Sequence, residues 1–353
     1  MTKQKFAVLD GMRGIAALFV LTRHTSNFWG FWLFKSYLAV DLFFILSGFV
    51  IAHAYEEKLL RGVISNRQFF LIRIIRLYPV YALSLVLAAG LAIFAGLHTV
   101  DSQGVMLWQI VMTIVLAMLF LPSYVPGVPA LFPLNDPAWS LFFELTVNFM
   151  YAVIRPWLTD KRLTALLVFF GLLVCFCSFK NGGLDTGFTW GLRSIVTGAA
   201  RCSFGFLFGV YLYKNRARSS NVRGVFPTLV TPVLALAVVL SLPNLHDFNW
   251  IADFVCAAVV FPMCVLLAAR AEKPPFEAGL LALGSASYPI YVLHQPLGHL
   301  LWLLFPEAIK THAPISGIIL VLVLVPATVW LEKTFDIPLR KRLTRMVLSN
   351  PRG

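Results

Sequence analysis

The stretch Leu9-Asp10-Gly11-Met12-Arg13-Gly14-Ile15-Ala16-Ala17-Leu18-Phe19-Val20-Leu21-Thr22-Arg23-His24 decides the fold. It reads as a membrane helix, yet it carries Asp10, Arg13 and His24. On an α-helix each residue turns the chain by about 100° and rises about 1.5 Å. Arg13 and His24 therefore return to within roughly 20° of one face, and stand roughly 16 Å apart along the axis. Asp10 falls about 40° from His24 in the same projection. Ionisable groups on one stripe of an embedded helix are costly and face a bundle interior where they serve a purpose. A signal peptide also begins with basic residues, here Lys3 and Lys5, before an apolar run. Against that reading, the purely apolar run is short, no small-residue cleavage site follows, and many further apolar runs come later.

Composition fixes the class. Of 353 residues, 59% are hydrophobic and only 13% charged, with a mean hydropathy of +0.80. That balance excludes an ordinary soluble domain and predicts an all-α, polytopic transmembrane helical bundle. A net charge of +13 would point to nucleic acid in a soluble protein. Here the basic residues cluster between apolar runs, which is the topology signal of a membrane protein, and no nucleic-acid partner is expected. Cys175, Cys177, Cys202, Cys256 and Cys264 all lie in apolar stretches. They imply core packing, with neither a disulfide framework nor a zinc site.

The basic segments lie at 3–5, 58–76, 155–162, 214–223, 270–273 and 340–345. The positive-inside rule puts all of them, and both termini, in the cytoplasm. An even number of crossings must then separate each from the next. Apolar runs near 8–28 and 38–55, two runs within 163–213, and the pairs 225–242 with 250–269 and 280–305 with 314–335 satisfy this. The interval 79–155 does not, because it holds three runs, near 79–97, 105–122 and 138–155. Pro122, Pro126, Pro129, Pro133 and Pro137 cannot continue a regular helix. The expectation is a re-entrant segment near 105–137, about ten spans in all, and one transmembrane domain over 1–353 with a cytoplasmic tail from about 340. Eleven spans is the alternative.

Several polar residues interrupt these runs. Asp41 lies near the outer end of the second span, joined by a short loop to His24. A carboxylate on one imidazole nitrogen raises basicity at the other, so Asp41 is a candidate partner of His24. Its bland role is to cap its helix. Arg73 and Arg76, at i and i+3, share a face if helical. They serve either topology and anionic lipid or phosphate recognition. Ser140, Glu144 and Asn148 line one face after Trp139, and Glu144 is a candidate to hold a proton, pair with an arginine or accept substrate hydroxyls. Arg201 lies near mid-membrane and needs a counter-charge, for which Glu144 and Asp253 are candidates. Tyr291 and His294 stand one turn apart in Ser287-Tyr288-Pro289-Ile290-Tyr291-Val292-Leu293-His294. No Walker loop, HExxH or strand-borne GxGxxG occurs, so no metal, NTP or dinucleotide is expected.

LDGMRGIAALFVLTRH, VDLFFILSGF, RIIR, AWSLFFE and SYPIYVLH, in this order across nearly the whole chain, resemble the acyltransferase type 3 family of integral-membrane O-acyltransferases. Each motif alone is weak and the ordered set is specific. The resemblance implies transfer of an acyl group, often acetyl, from cytoplasmic acyl-CoA to a hydroxyl of a cell-envelope carbohydrate such as a polysaccharide, lipopolysaccharide, peptidoglycan or glycolipid, at the inner (plasma) membrane and among its lipids. It implies that Arg13 and His24 are essential and that Arg73 and Arg76 matter for activity. The family pattern often carries two acidic residues after WSL; here Phe143 precedes Glu144, leaving one. No appended SGNH esterase-like domain is expected. On this reading His24, Arg13, Asp41 and Glu144 form the catalytic set. Arg73, Arg76 and Arg201 bind acetyl-CoA or another acyl-CoA, and Trp139, Ser140, Tyr291 and His294 contact substrate. A histidine with an ordinary pKa of about 6.5 suits proton uptake at neutral pH. Arg13, so far from His24 along the helix, is expected at the CoA end of the donor or paired with Asp10. A secondary transporter or a flippase for an envelope precursor is the rival class.

Overall fold

Apolar runs bounded by Gly, Pro and basic residues become helices, and the computed structural model describes them over residues 6–99, 107–216 and 224–348. Lys3 and Lys5, the basic segment beyond Arg216 and the final five residues lie outside the described residues. In chain order the helices are α1 (Ala7–His24), α2 (Ala39–Leu60), α3 (Asn66–Thr99), α4 (Leu107–Met118), α5 (Ala138–Ile154), α6 (Asp160–Asn181) and α7 (Leu192–Asn215). They continue with α8 (Thr231–Ser241), α9 (Asn249–Val255), α10 (Phe261–Ala268), α11 (Glu277–Leu304), α12 (Pro306–Thr311), α13 (Ile315–Leu331) and α14 (Ile337–Leu348). Wide helical turns at Phe226–Val230, Cys256–Val260 and Glu332–Asp336 lead into α8, join α9 to α10 and join α13 to α14. Among the described residues there is no strand, and six helical stretches are long and apolar enough to cross a membrane. The chain is an all-α polytopic membrane protein.

Its polarity is inverted relative to a soluble fold. Phe169, Leu172 and Phe176 of α6, and Ile319, Leu322 and Val323 of α13, are exposed. Apolar surface on that scale is stable against lipid, not water. Charged side chains instead lie inside: Lys35 and Asp253 are 0% exposed, Arg201 2% and Asp41 3%. Each needs a counter-charge where water cannot solvate it.

Two parallel helix pairs organise the interior. α1 lies on α11, where a Cβ at Gly14 would come within 2.5 Å of the Leu283 carbonyl oxygen. α2 lies on α7, where a Cβ at Gly48 would sit 1.9 Å from the Phe206 carbonyl oxygen and one at Gly209 2.0 Å from that of Ile45. Without a hydrophobic drive between helices in lipid, such close backbone approach is a main source of association.

The Pro-rich segment departs from the bundle. The described part of α4 spans only about 18 Å at 1.5 Å per residue, short of a bilayer core of roughly 30 Å. Residues 119–137 then run without a helix. Their backbone is satisfied by the α6–α7 loop: Leu131 N donates to Phe188 O (2.8 Å), Trp190 N to Pro129 O (2.8 Å), and Trp190 Nε1 to Ser123 O (3.1 Å). Residues 340–348, expected as tail, belong to α14, which packs on α3 and places Arg340 2.9 Å from Asp336.

Candidate active site

The α1–α11 contact lines up polar residues along both helices. At one level Arg13 reaches α11: Nε donates to Ser287 Oγ (2.9 Å) and Nη2 to the Gly284 carbonyl (3.0 Å), while Nη2 also pairs with Asp10 at 2.9 Å. Further along the same two helices, His24 meets His294, with His24 Nδ1 and His294 Nε2 3.1 Å apart. The distance that the helix repeat puts between Arg13 and His24 thus separates two sites.

Carbonyls fix the protons of the histidine pair. With both rings neutral, His294 Nδ1 donates to Ile290 O at 3.0 Å, so His294 Nε2 carries a lone pair. That lone pair accepts from His24 Nδ1–H, which is shared with Val20 O at 3.1 Å. The hydrogen-bond partners therefore leave the lone pair of His24 on Nε2, available as a base. His24 lines a cavity of about 210 Å³ whose walls include Trp32, Trp139, Asp136, Asp185 and Tyr291.

The second cavity, about 160 Å³, is walled by Arg13, Arg73, Arg76, Ser140, Glu144 and Tyr291 among others. The i, i+3 spacing of Arg73 and Arg76 on α3 puts both on it. Arg73 pairs with Glu144 at 3.0 Å, and Ser47 Oγ donates to the same carboxylate at 2.7 Å. Arg76 lies over the Tyr288 ring at 5.5 Å and 3.7 Å from Asp336. Even so, Arg73 Nε and Arg76 Nη1 are buried without a hydrogen-bond partner among the described residues. Two guanidinium groups with unused donors, beside that of Arg13, give this cavity the hydrogen-bonding chemistry that suits an anion.

The structure corrects two pairings. Asp41 does not orient His24; it binds Arg201 through two parallel hydrogen bonds, Nε to Oδ1 at 3.0 Å and Nη2 to Oδ2 at 2.7 Å. Nor does Asp41 cap α2, whose N-terminus has no side-chain cap. Arg201 in turn pairs with neither Glu144 nor Asp253. It donates to Thr186 O and lies 5.4 Å over the Trp139 ring, on the histidine cavity and away from the arginine cavity. Asp253 is taken by Lys35 at 2.5 Å and Tyr37 at 2.7 Å. A bidentate guanidinium satisfies a buried carboxylate better than a neutral imidazole can, and loop proximity to His24 does not outweigh that.

Ser140 and Tyr291 are brought together, their hydroxyls 2.7 Å apart. Asn148, on the same face of α5, is fully buried and its side-chain amide has no hydrogen-bond partner among the described residues. Sequence reasoning missed several residues. Arg23 pairs with Asp185 at 2.5 Å and lies 5.0 Å over Trp32. Asp136 donates its backbone N–H to Gln295 Oε1 at 2.8 Å, while its Oδ1 is buried without a hydrogen-bond partner among the described residues. Asn135 ties the loop to α11 through Val292 O at 2.9 Å. The one available signal was Asn135-Asp136-Pro137 directly before the Trp139 helix.

The fold defines a membrane-embedded protein with two polar cavities, one lined by Arg13, Arg73 and Arg76 and the other by His24. A family model described as "Acyltransferase domain" matches residues 6–332. The chain belongs to this acyltransferase type 3 family, and it is a membrane acyltransferase. A protein of Rhizobium radiobacter described as "Protein 2 in picA locus" is 45% identical over 165 residues, covering 42% of this chain and 82% of that protein. No solved structure matches the chain.

Proposed function

We propose that the protein transfers an acyl group, acetyl by preference, from cytoplasmic acyl-CoA to a hydroxyl of a cell-envelope or exported carbohydrate, in the inner membrane with both termini cytoplasmic. The observation that carries this reading is the arrangement of two cavities, one rich in arginine and one holding His24, that meet at Tyr291. Arg13, Arg73 and Arg76 suit the phosphates of CoA, and the unused Arg73 Nε and Arg76 Nη1 are the donors a phosphate satisfies. Trp32 and Trp139 offer flat faces to a sugar ring, and Asp136 and Asp185 offer acceptors for its hydroxyls.

In this mechanism His24 Nε2 takes the proton of the acceptor hydroxyl as its oxygen bonds to the thioester carbonyl carbon. The carbon–sulfur bond then breaks, the sulfur leaves with the electron pair, and His24 returns the proton to it. The products are an O-acyl ester and free CoA. His294 holds His24 in the required tautomer. Arg13 acts at the donor end, and Glu144 sets the position of Arg73. Asp41 and Arg201 act together as a neutral pair behind Trp139.

The test is acyl-CoA-dependent labelling of envelope carbohydrate with wild type and His24→Ala. Loss of a general base lowers the rate by about 10²–10⁴-fold, while insertion and acyl-CoA binding persist. Near-normal O-acylation by His24→Ala sinks the assignment of the base. Carbohydrate movement without acyl-CoA consumption moves the protein to the transporter or flippase class.

A further inference from the structure

Among the described residues the walls of the two cavities share one, Tyr291. Its side chain is held on three sides. The ring meets the edge of Phe43 at 5.4 Å and 88°, and lies 6.1 Å from the His294 ring. The Tyr291 and Ser140 hydroxyls are 2.7 Å apart, and the Pro137 carbonyl lies 3.1 Å from both. Tyr291 is 5% exposed, so the partition is packed. Ser140 faces the arginine cavity, whereas Pro137 and Trp139 face the histidine cavity.

Acyl transfer requires one carbon to lie within bonding distance of the donor sulfur and of the acceptor oxygen. If the donor enters from the arginines and the acceptor from His24, that carbon sits at the wall the cavities share. We infer that Tyr291 is the partition at which transfer occurs and that its ring sets the size of the acyl group. This rests on the acyl-transfer reading above. An acyl tail beyond the carbonyl must fit between Tyr291, Phe43 and Ser140. A methyl group fits against a fixed ring; a longer chain needs the ring to leave its hydrogen-bonded seat. The ring also fills the space beside the reacting carbon, so that a seated acceptor leaves little room there for a water molecule. Tyr291 is thus a specificity-determining residue, distinct in role from His24.

The test uses inside-out membrane vesicles from cells in which the full-length wild type or a Tyr291 variant replaces the native copy, so that the native acceptor is present. They are supplied with labelled acetyl-CoA or butyryl-CoA, and both incorporated label and released CoA are measured. Tyr291→Phe keeps the bulk but loses the hydrogen-bonded seat, and is expected to raise the butyryl-to-acetyl ratio less than either smaller variant. Tyr291→Leu and Tyr291→Ala are expected to raise it progressively, at least tenfold for Ala, with CoA release exceeding incorporation as water attacks the carbonyl to give carboxylic acid and CoA. Acetyl-CoA binding to the purified variants checks folding, and where Ala fails that check the Leu variant decides. A ratio that stays flat across the series in variants that bind acetyl-CoA overturns the partition while leaving acyl transfer standing. Wild-type vesicles that incorporate no label from either donor overturn acyl transfer itself and the partition with it.

Discussion

At the scale of single residues, the histidine pair and the Asp41–Arg201 pair make different demands. His294 serves His24 as a hydrogen-bond acceptor at its ε position. Glutamine can offer an oxygen there and phenylalanine cannot. His294→Phe is expected to lower acyl transfer about tenfold, the worth of a hydrogen bond of about 1–1.5 kcal/mol, whereas His294→Gln keeps most of the rate. Donor affinity should be unchanged in both, which acyl-CoA titration alongside turnover will check. Were His294 only a contact for the acceptor, both variants would raise the acceptor KM together. Asp41→Asn breaks a buried bidentate pair and leaves Arg201 uncompensated, at a cost of about 3–5 kcal/mol. The expected signature is a marked fall in thermal stability in detergent. Loss of activity with unchanged stability would instead return Asp41 to the catalytic set.

Helices set the next scale. The α2–α7 contact has no room for a side chain at Gly48, so Gly48→Ala is expected to abolish folded yield in size-exclusion profiles. Gly90 on α3 faces open space. Gly90→Ala should therefore be neutral or stabilise by about 0.5–1 kcal/mol, and equal damage from both substitutions would show that the loss at Gly48 does not come from close packing. On α3, topology needs only positive charge, while phosphate clamping needs the forked guanidinium. The double change Arg73→Lys, Arg76→Lys should insert and orient normally and lose affinity for acyl-CoA. Equal affinity in donor titrations would assign the two arginines to topology and leave Arg13 as the remaining guanidinium on that cavity.

The whole molecule constrains the number of crossings. Helices that pack parallel are separated by an even number of reversals. α2 runs parallel to α7, and α1 to α11, as the order of their contacts shows: Asp41 with Arg201 and then Gly48 with Phe206, Arg13 with Ser287 and then His24 with His294. Eleven full crossings would make both pairs antiparallel. The parallel pairs agree with the proposal of ten crossings, in which α4 and residues 119–137 enter and return on one side. A membrane-impermeant maleimide applied from outside to a cysteine-free background is expected to label Lys180→Cys and not Lys161→Cys; the reverse pattern inverts the proposed orientation.

The sequence by itself determined the membrane class and the helical nature of every apolar run, because composition and periodicity are local properties of the chain. It also determined that Arg13 and His24 lie at separate places, since both ride on one rigid helix whose rise per residue is set by its hydrogen bonds. Partners across helices were decided only by tertiary structure. His24 with His294, Asp41 with Arg201 and Arg73 with Glu144 join residues 270, 160 and 71 positions apart. Helix periodicity tells which face a residue occupies and says nothing of which helix that face will meet. That choice was made by glycines at Gly14, Gly48 and Gly209, where backbones can approach, and by the need of each buried charge for a counter-charge that only the packed bundle brings within reach.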